Sequence, residues 1–181
     1  MEFEKFPKMG RLSRTCLITE KIDGTNAQVA FDEEGNMFVG SRKRWITPED
    51  DNYGFAAWCH ENIEQLRLLG PGRHFGEWWG SGIQRRYGMQ EKVFSLFNTT
   101  RWKNGCPECC RTVPVMYHGL FSSTAVDDAI HRLIEEGSLA APGFMNPEGV
   151  VVYHQAAGVG FKKTVKNDEK SKWELDREGS K

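Results

Sequence analysis

An apolar run, Cys16-Leu17-Ile18, leads directly into Glu20-Lys21-Ile22-Asp23-Gly24-Thr25-Asn26. A lysine at the end of a buried strand loses solvent, and lost solvent favours the neutral amine. Nearby cations push the same way, so the chemistry open to Lys21 is that of a nucleophile. Asp23-Gly24 supplies a tight turn in which another group can approach the backbone closely. Taken without its surroundings, the same turn reads equally well as a surface β-turn with a solvated lysine.

Other segments carry residues that could work with such an amine. Gly40-Ser41-Arg42-Lys43 puts cations just after a second short strand. In the run Phe75-Gly76-Glu77, followed by Gly80-Ser81-Gly82-Ile83-Gln84, a carboxylate at a strand end can accept a hydrogen bond from a sugar hydroxyl. Val93-Phe94-Ser95-Leu96-Phe97-Asn98 places Phe94 and Phe97 on opposite faces of a strand, one for the core and one for a ligand. Glu148 opens the apolar run Val150-Val151-Val152, where a carboxylate sits at a cleft edge and suits a metal or water contact. In Phe161-Lys162-Lys163-Thr164-Val165-Lys166, alternation puts Lys162 and Thr164 on one side with Lys166 farther along it, and turns Lys163 away. Each segment alone has an ordinary reading as a basic loop or a core strand.

Glu-Lys-Ile-x-Gly-Thr-Asn resembles the nucleotidyl-lysine motif of the covalent nucleotidyltransferases: DNA ligases, RNA ligases and mRNA capping enzymes. It looks most like the phage RNA ligases of the RNA-editing-ligase type. The remaining segments resemble that family's further elements in the family's chain order, from Lys21 to Lys166. The resemblance implies that Lys21 attacks the α-phosphate of ATP and keeps AMP as a phosphoramidate. Glu20, Ile22, Asp23, Gly24 and Asn26 would surround the nucleotide. Arg42 would sit near the reacting ends, Glu77 on the ribose, and Phe97 against adenine. Glu148 would be a catalytic carboxylate linked to Mg²⁺, or Mn²⁺ in its place, with Glu77 as a second metal candidate. Lys162 matches the first lysine of the family's final Lys-x-Lys element. Thr164 stands at the second, which leaves Lys163 or Lys166 to substitute.

The function so implied is an ATP-dependent RNA ligase that moves AMP to a 5′-phosphate and seals that end to a 3′-hydroxyl. A DNA nick ligase is the alternative within the family. A nucleotide or RNA-end binding module that has lost catalysis is the alternative outside it. RNA ends or a nicked duplex would be the partners. Larger ligases add an OB-fold or helical domain, and this chain stops soon after Lys166, so a partner protein supplying that part is a further expectation.

Gly105-Cys106-Pro107-Glu108-Cys109-Cys110 looks like one half of a zinc site. A closed structural site needs four ligands. Only Cys106, Cys109 and Cys110 are local, so His118, or Cys59 with His60, would have to complete it through the fold. The competing reading is a cysteine-rich loop joining two strands.

These residues need a scaffold, and 181 residues suffice for one domain with a real core. Segments rich in β-formers fall at 15–20, 27–32, 37–39, 92–97, 113–118, 148–153 and 159–165. Helical periodicity spans 52–69 and 124–136, the second capped by Ser123 or Thr124. The expected class is α+β: an antiparallel-sheet nucleotidyltransferase domain, ATP-grasp-like, over 1–166, with flanking helices and no OB domain. A charged tail over 167–181 should fray. The net charge of -1 argues mildly against nonspecific polyanion binding but leaves room for a local basic cleft. No apolar run approaches the roughly 18 residues of a membrane span, and the N-terminus lacks a secretion signal's apolar core. A cytoplasmic protein is expected, in a host cytoplasm if phage-encoded. Five cysteines without a secretion signal argue against a disulfide framework.

Overall fold

The computed structural model describes residues 1–169, so the expected frayed tail lies almost wholly outside the described residues. In chain order the elements are β1 (Thr15–Lys21), β2 (Thr25–Phe31), β3 (Met37–Ser41), α1 (Phe55–Glu61), α2 (Ile63–Leu66), a 3₁₀ turn (Arg67–Leu69), β4 (Gly72–Gly80), β5 (Lys92–Leu96), β6 (Cys110–Thr112), β7 (Val115–Leu120), α3 (Ser123–Glu136), β8 (Gly149–His154) and β9 (Val159–Thr164). The strands form a four-stranded sheet, β7-β1-β8-β9, and a five-stranded sheet, β3-β2-β4-β5-β6. Every pairing is antiparallel except β5 with β6. The class is α+β, as expected from strands dominating over two helical stretches.

Each sheet buries one face under a helical stretch. Val29, Phe31, Trp78, Phe94 and Leu96 of the five-stranded sheet pack on Phe55, Cys59, Leu66 and Leu69. Cys16, Ile18, Val150 and Val152 of the four-stranded sheet pack on Val126, Ala129, Ile130 and Leu133 of α3. A third cluster, with Ile22, Trp79, Tyr87, Val93, Val113 and Ala141, fills the junction where the chain leaves β1 for β2. The opposite faces of the two sheets are therefore free to form a cleft.

Several expectations need correction. The periodic stretch 52–69 is not one helix. It begins at Gly54 in left-handed geometry (φ 79°) and is interrupted at Asn62 (φ -107°, ψ 16°). The Asp51 carboxylate caps its start by accepting from the Ala56 and Ala57 N–H groups at 2.8 and 3.0 Å. Periodicity survives such an interruption because the same face stays buried. The cap of α3 is Ser122, whose hydroxyl accepts from Ala125 N–H at 3.4 Å, rather than Ser123 or Thr124. The expected strand 113–118 straddles a change of sheet: β6 ends at Thr112 beside β5, and β7 starts at Val115 beside β1. Pro114, which has no N–H to give a ladder, lies at that crossing, and its carbonyl accepts from Glu20 N–H at 2.9 Å.

The central strand β4 escaped the β-former survey because its sequence, Gly-Arg-His-Phe-Gly-Glu-Trp-Trp-Gly, is rich in glycine. Packing explains the middle glycine. A Cβ on Gly76 would lie 2.5 Å from Phe94 Cε2 and from the Ser95 carbonyl oxygen. Among the described residues no helix is long and apolar enough to cross a membrane.

Candidate active site

The cleft between the sheets holds a cavity of about 520 Å³, within the usual range of small-molecule sites. Lys21, the last residue of β1, enters it from the four-stranded sheet. In register, Lys21 lies opposite Gly149, which brings the preceding Glu148 alongside. The Lys21 ammonium donates to Glu148 Oε2 at 2.6 Å, across 127 residues of sequence. The expected desolvation of Lys21 is partial, since its side chain keeps 25% of its exposure.

Facing them from the five-stranded sheet are Asn26 and Glu77, which are register partners. The buried Glu77 carboxylate accepts from Gly24 N–H at 3.0 Å and from Asn26 Nδ2 at 3.1 Å. Burial raises its pKa to about 7, against the opposing pull of Lys21. Glu148 and Asp23 add to the rise. Phe97 stands just past β5 on the same cavity wall, with its ring partly in solvent, while Phe94 is wholly in the core. Alternation along β5 decides that split, as the sequence pattern led one to expect.

The turn that carries the lysine is bracketed from behind. A Cβ on Gly24 would lie 2.5 Å from the Trp78 carbonyl oxygen and 2.7 Å from Trp79 Cβ, so only glycine fits. Asp23 N–H donates to the Tyr87 hydroxyl at 2.8 Å, and Arg85 Nε donates to Asp23 Oδ2 at 2.9 Å. Arg85 Nη1 also donates to the Asn146 carbonyl at 3.2 Å, joining the lysine turn to the loop before Glu148. The bracket is built on strained backbone, with Gln84, Arg86 and Tyr87 all at positive φ (43°, 59° and 51°). Ile22 is buried in the junction cluster beneath. Sequence reasoning missed Arg85, Tyr87 and Asn146. The glycine-rich loop was visible, but nothing local says that its next residues reach back more than sixty positions.

Glu20 behaves differently from its neighbour. Its buried carboxylate accepts from the Ser138 hydroxyl at 2.6 Å and from the Leu139 and Ala140 N–H groups at 2.8 Å each. Burial raises its pKa while those donors lower it. Both oxygens are thus engaged in tying the loop after α3 to β1, although Glu20 also borders the cavity.

The three lysines near the chain's end separate as strand geometry requires. β9 pairs with β8 without a bulge, placing Lys162 opposite Val151 and Lys163 opposite Val150. Val151 borders the cavity, so register gives Lys162 that side of the sheet, although Lys162 is not among the cavity's lining residues; Val150 belongs to the core under α3. Lys163 donates to Asp127 Oδ1 at 2.7 Å, on the α3 side of the sheet, and is not brought to the cavity. Lys166 Nζ lies 3.4 Å from Asn146 Oδ1, near the loop before Glu148. Thr164 is bonded to the Lys166 carbonyl at 2.9 Å. Arg42 sits in an exposed loop outside the cavity lining.

A divalent cation bound through few protein oxygens and several waters fits Glu148, whose carboxylate is paired with the cavity-lining Lys21. Both oxygens of Glu77, the second metal candidate, already accept protein N–H groups, which leaves one lone pair on each for a further partner. The expected zinc set does not assemble. Cys106 Sγ turns to the Cys110 carbonyl, Cys109 and Cys110 sulfurs stand 3.8 Å apart, and Cys106 and Cys109 pack on the core. Among the described residues no group of three or more His, Cys, Asp or Glu is arranged to hold a metal.

Comparison with known proteins adds to this geometry. A mutant Naegleria gruberi RNA ligase with AMP and Mn superposes with a TM-score of 0.60 at 17% identity, covering 94% of this chain and 53% of that one. A second mutant of that ligase with ATP and Mn gives 0.59 at 17% identity, over 93% and 53%. The same ligase with PPi gives 0.58 at 17% identity, over 93% and 53%. The chain thus spans about half the length of these structures, and the likeness shows a shared fold. No protein of curated function matches the sequence. Residues 14–167 match the RNA ligase family model, and the chain belongs to the RNA ligase family.

Proposed function

We propose that this protein is an ATP-dependent RNA ligase that works through a lysyl-AMP intermediate. The observation that carries the reading is Lys21, paired with Glu148 and lining a cavity whose other wall presents Glu77 and Phe97. ATP would lie with its adenine against Phe97 and its ribose toward Glu77 and Asn26. Its phosphates would run toward Lys162, with Lys166 as the second candidate cation. The neutral Lys21 amine attacks the α-phosphorus, the N–P bond forms, the bond to the bridging β-phosphate oxygen breaks so that pyrophosphate leaves, and the amine's proton passes to solvent. A 5′-phosphate oxygen of the polynucleotide then displaces the lysine, and the amine regains a proton. A 3′-hydroxyl finally attacks that activated phosphate and releases AMP.

Lys21 is held by Glu148 in the resting geometry, so the amine becomes a nucleophile when Glu148 turns to another partner. Mg²⁺ or Mn²⁺, held by Glu148 and phosphate oxygens, would supply charge neutralisation for the transfer. The protein's own contribution is placement: a buried turn fixes Lys21, and two opposed sheets hold base and phosphates apart. RNA ends are the favoured substrate over a DNA nick, on the strength of family membership.

The deciding measurement is the intact mass after incubation with ATP and Mg²⁺. One AMP should be gained by the native chain and none by Lys21→Ala. An adduct on the Lys21→Ala chain would remove the nucleophile assignment. Comparison of nicked RNA, nicked DNA and single-stranded ends would then assign the substrate.

A further inference from the structure

The cavity occupies only part of one sheet face. Across β3, β2 and β4, Asn26 pairs with Glu77, Gln28 with Phe75 and with Gly40, and Ala30 with Arg73 and with Phe38. Paired residues share a face, and so do alternate residues along a strand. Phe75, Arg73 and Phe38 therefore stand on the face that bears Glu77. Phe97 joins them: it lies two residues past Ser95, the partner of Glu77, and its N–H donates to the Phe75 carbonyl at 2.9 Å. Trp45 lies over Gly40, where an added Cβ would be 3.0 Å from the indole.

The rings on this face remain in water: Phe97 is 41% exposed, Phe38 45%, Trp45 46% and Phe75 51%. The Phe38 and Trp45 ring centroids are 5.8 Å apart, and the Arg73 guanidinium lies 5.3 Å from the Trp45 centroid. The loop that leads to Trp45 carries Arg42 and Lys43, neither of which forms an ion pair among the described residues. Single exposed apolar residues are unremarkable, but a contiguous aromatic face interleaved with unpaired cations suits a stacked, negatively charged ligand. The interstrand spacing makes the face roughly 15 Å wide from β5 to β3, room for a few stacked bases.

We infer that this face, running from beside Phe97 through Phe75 to Trp45, Arg73 and Phe38, is a docking track for a single-stranded polynucleotide. Bases stack on the rings, and phosphates meet Arg73, Arg42 and Lys43. The inference rests on the ligase reading to the extent that the cavity at the track's end receives the reacting terminus.

The test uses the full chain and a short fluorescent single-stranded oligoribonucleotide with a 5′-phosphate. Anisotropy titrations over a range of salt compare the native chain with Trp45→Ala, Phe38→Ser and Arg73→Ala, with Arg132→Ala on α3 as a distant control. Trp45→Ala should weaken binding about tenfold, the scale of one lost base–aromatic stack. Arg73→Ala should weaken it less and lower the salt dependence by about one counterion. All four variants should self-adenylate on ATP at the native rate, since none touches the cavity. Phe38→Ser guards against a folding defect at Trp45, because that ring is exposed on an outer strand. Variants that adenylate normally and bind the oligonucleotide as tightly as the native chain would overturn the track. So would variants that leave oligonucleotide binding intact but abolish self-association of the chain, which would make the face a protein interface. A native chain that binds the oligonucleotide in this pattern yet never takes AMP would sink the ligase reading and leave the track standing.

Discussion

The two walls of the cleft are built from different sheets and do different work. The β1–β8–β9 wall presents Lys21, with Glu148 paired to it and Lys162 on the same face by register, all charged, at the ends or edges of strands whose other face is core. The β2–β4–β5 wall presents Asn26, Glu77 and Phe97, one neutral, one a buried carboxylate and one aromatic. On the proposed reading, the first wall would carry the transfer of AMP and the second would hold the nucleoside. Lys21 is paired on its own sheet with Glu148 and Glu77 on its own with Gly24 and Asn26, so a bound nucleotide would bridge two separately organised walls. The contrast teaches where substitutions should be felt: on the first wall in the rate of the covalent step, on the second in the affinity for ATP.

The largest effect expected lies on the charged wall. Lys162→Ala should remove nearly all self-adenylation under Mg²⁺, since an α-phosphate in the cavity loses its charge-assisted partner. Lys166→Ala should cost less, and Lys163→Ala least of all because its side chain is turned to Asp127. Rates of the three single mutants measured side by side check this order. A Lys163→Ala chain slower than Lys166→Ala would mean that the functional register differs from the one described.

The next effect belongs to the scaffold beneath that wall. Glu20→Ala leaves the Leu139 and Ala140 N–H groups and the Ser138 hydroxyl without their acceptor, and should cost about 3 kcal/mol. Denaturant unfolding reads the loss directly. If Glu20→Ala unfolds like the native chain yet fails to use ATP, Glu20 acts on the nucleotide and the division between strut and site is wrong.

On the nucleoside wall, Glu77 predicts a pH dependence. Its pKa is raised from 4.5 to about 7 by burial. The folded state then holds a proton that the unfolded chain releases. This contribution to stability is complete below about pH 4.5 and is lost as pH rises through about 7. Glu77→Gln should remove that slope, so its unfolding free energy relative to the native chain should improve between pH 5 and 8 by on the order of 2 kcal/mol. Parallel pH profiles for the two proteins would show that Lys21 compensates the buried carboxylate more fully than its surroundings suggest.

The smallest of these effects tests the aromatic shelf. Phe97→Ala should weaken ATP use by roughly 1–3 kcal/mol, and Phe97→Trp should be better tolerated. Because the Phe97 ring is partly in solvent, thermal stability should hardly move in either. Equal loss in both variants, accompanied by a lower melting temperature, would assign the ring to the core.

Much of this site could be read from order and alternation. The lysine turn after an apolar strand, the split of Phe94 from Phe97, and the turning away of Lys163 all follow from local chain geometry. The α+β class followed from strand-rich segments with two periodic stretches. The cysteine loop misled, because its thiols gather against the core without forming a ligand set: Cys109 and Cys110 sulfurs stand 3.8 Å apart, Cys106 Sγ turns to the Cys110 carbonyl, and no metal-holding group forms among the described residues. Only the strand end at Glu77 was legible in β4, and its β-former content was diluted by glycines such as Gly76, which serves contacts with Phe94 and Ser95 that are not adjacent in sequence.

What the sequence determined by itself was therefore periodic and local: which residues alternate, which turn can admit only a close approach, and which lysine faces which side of a strand. Tertiary structure alone decided that Lys21 meets Glu148 at 2.6 Å, that Arg85 joins the lysine turn to the loop before Glu148, and that Glu20 is spent on the loop after α3. These are pairings between segments tens of residues or more apart. Their partners are chosen by sheet order and strand register, which depend on how whole faces bury rather than on any short run of sequence.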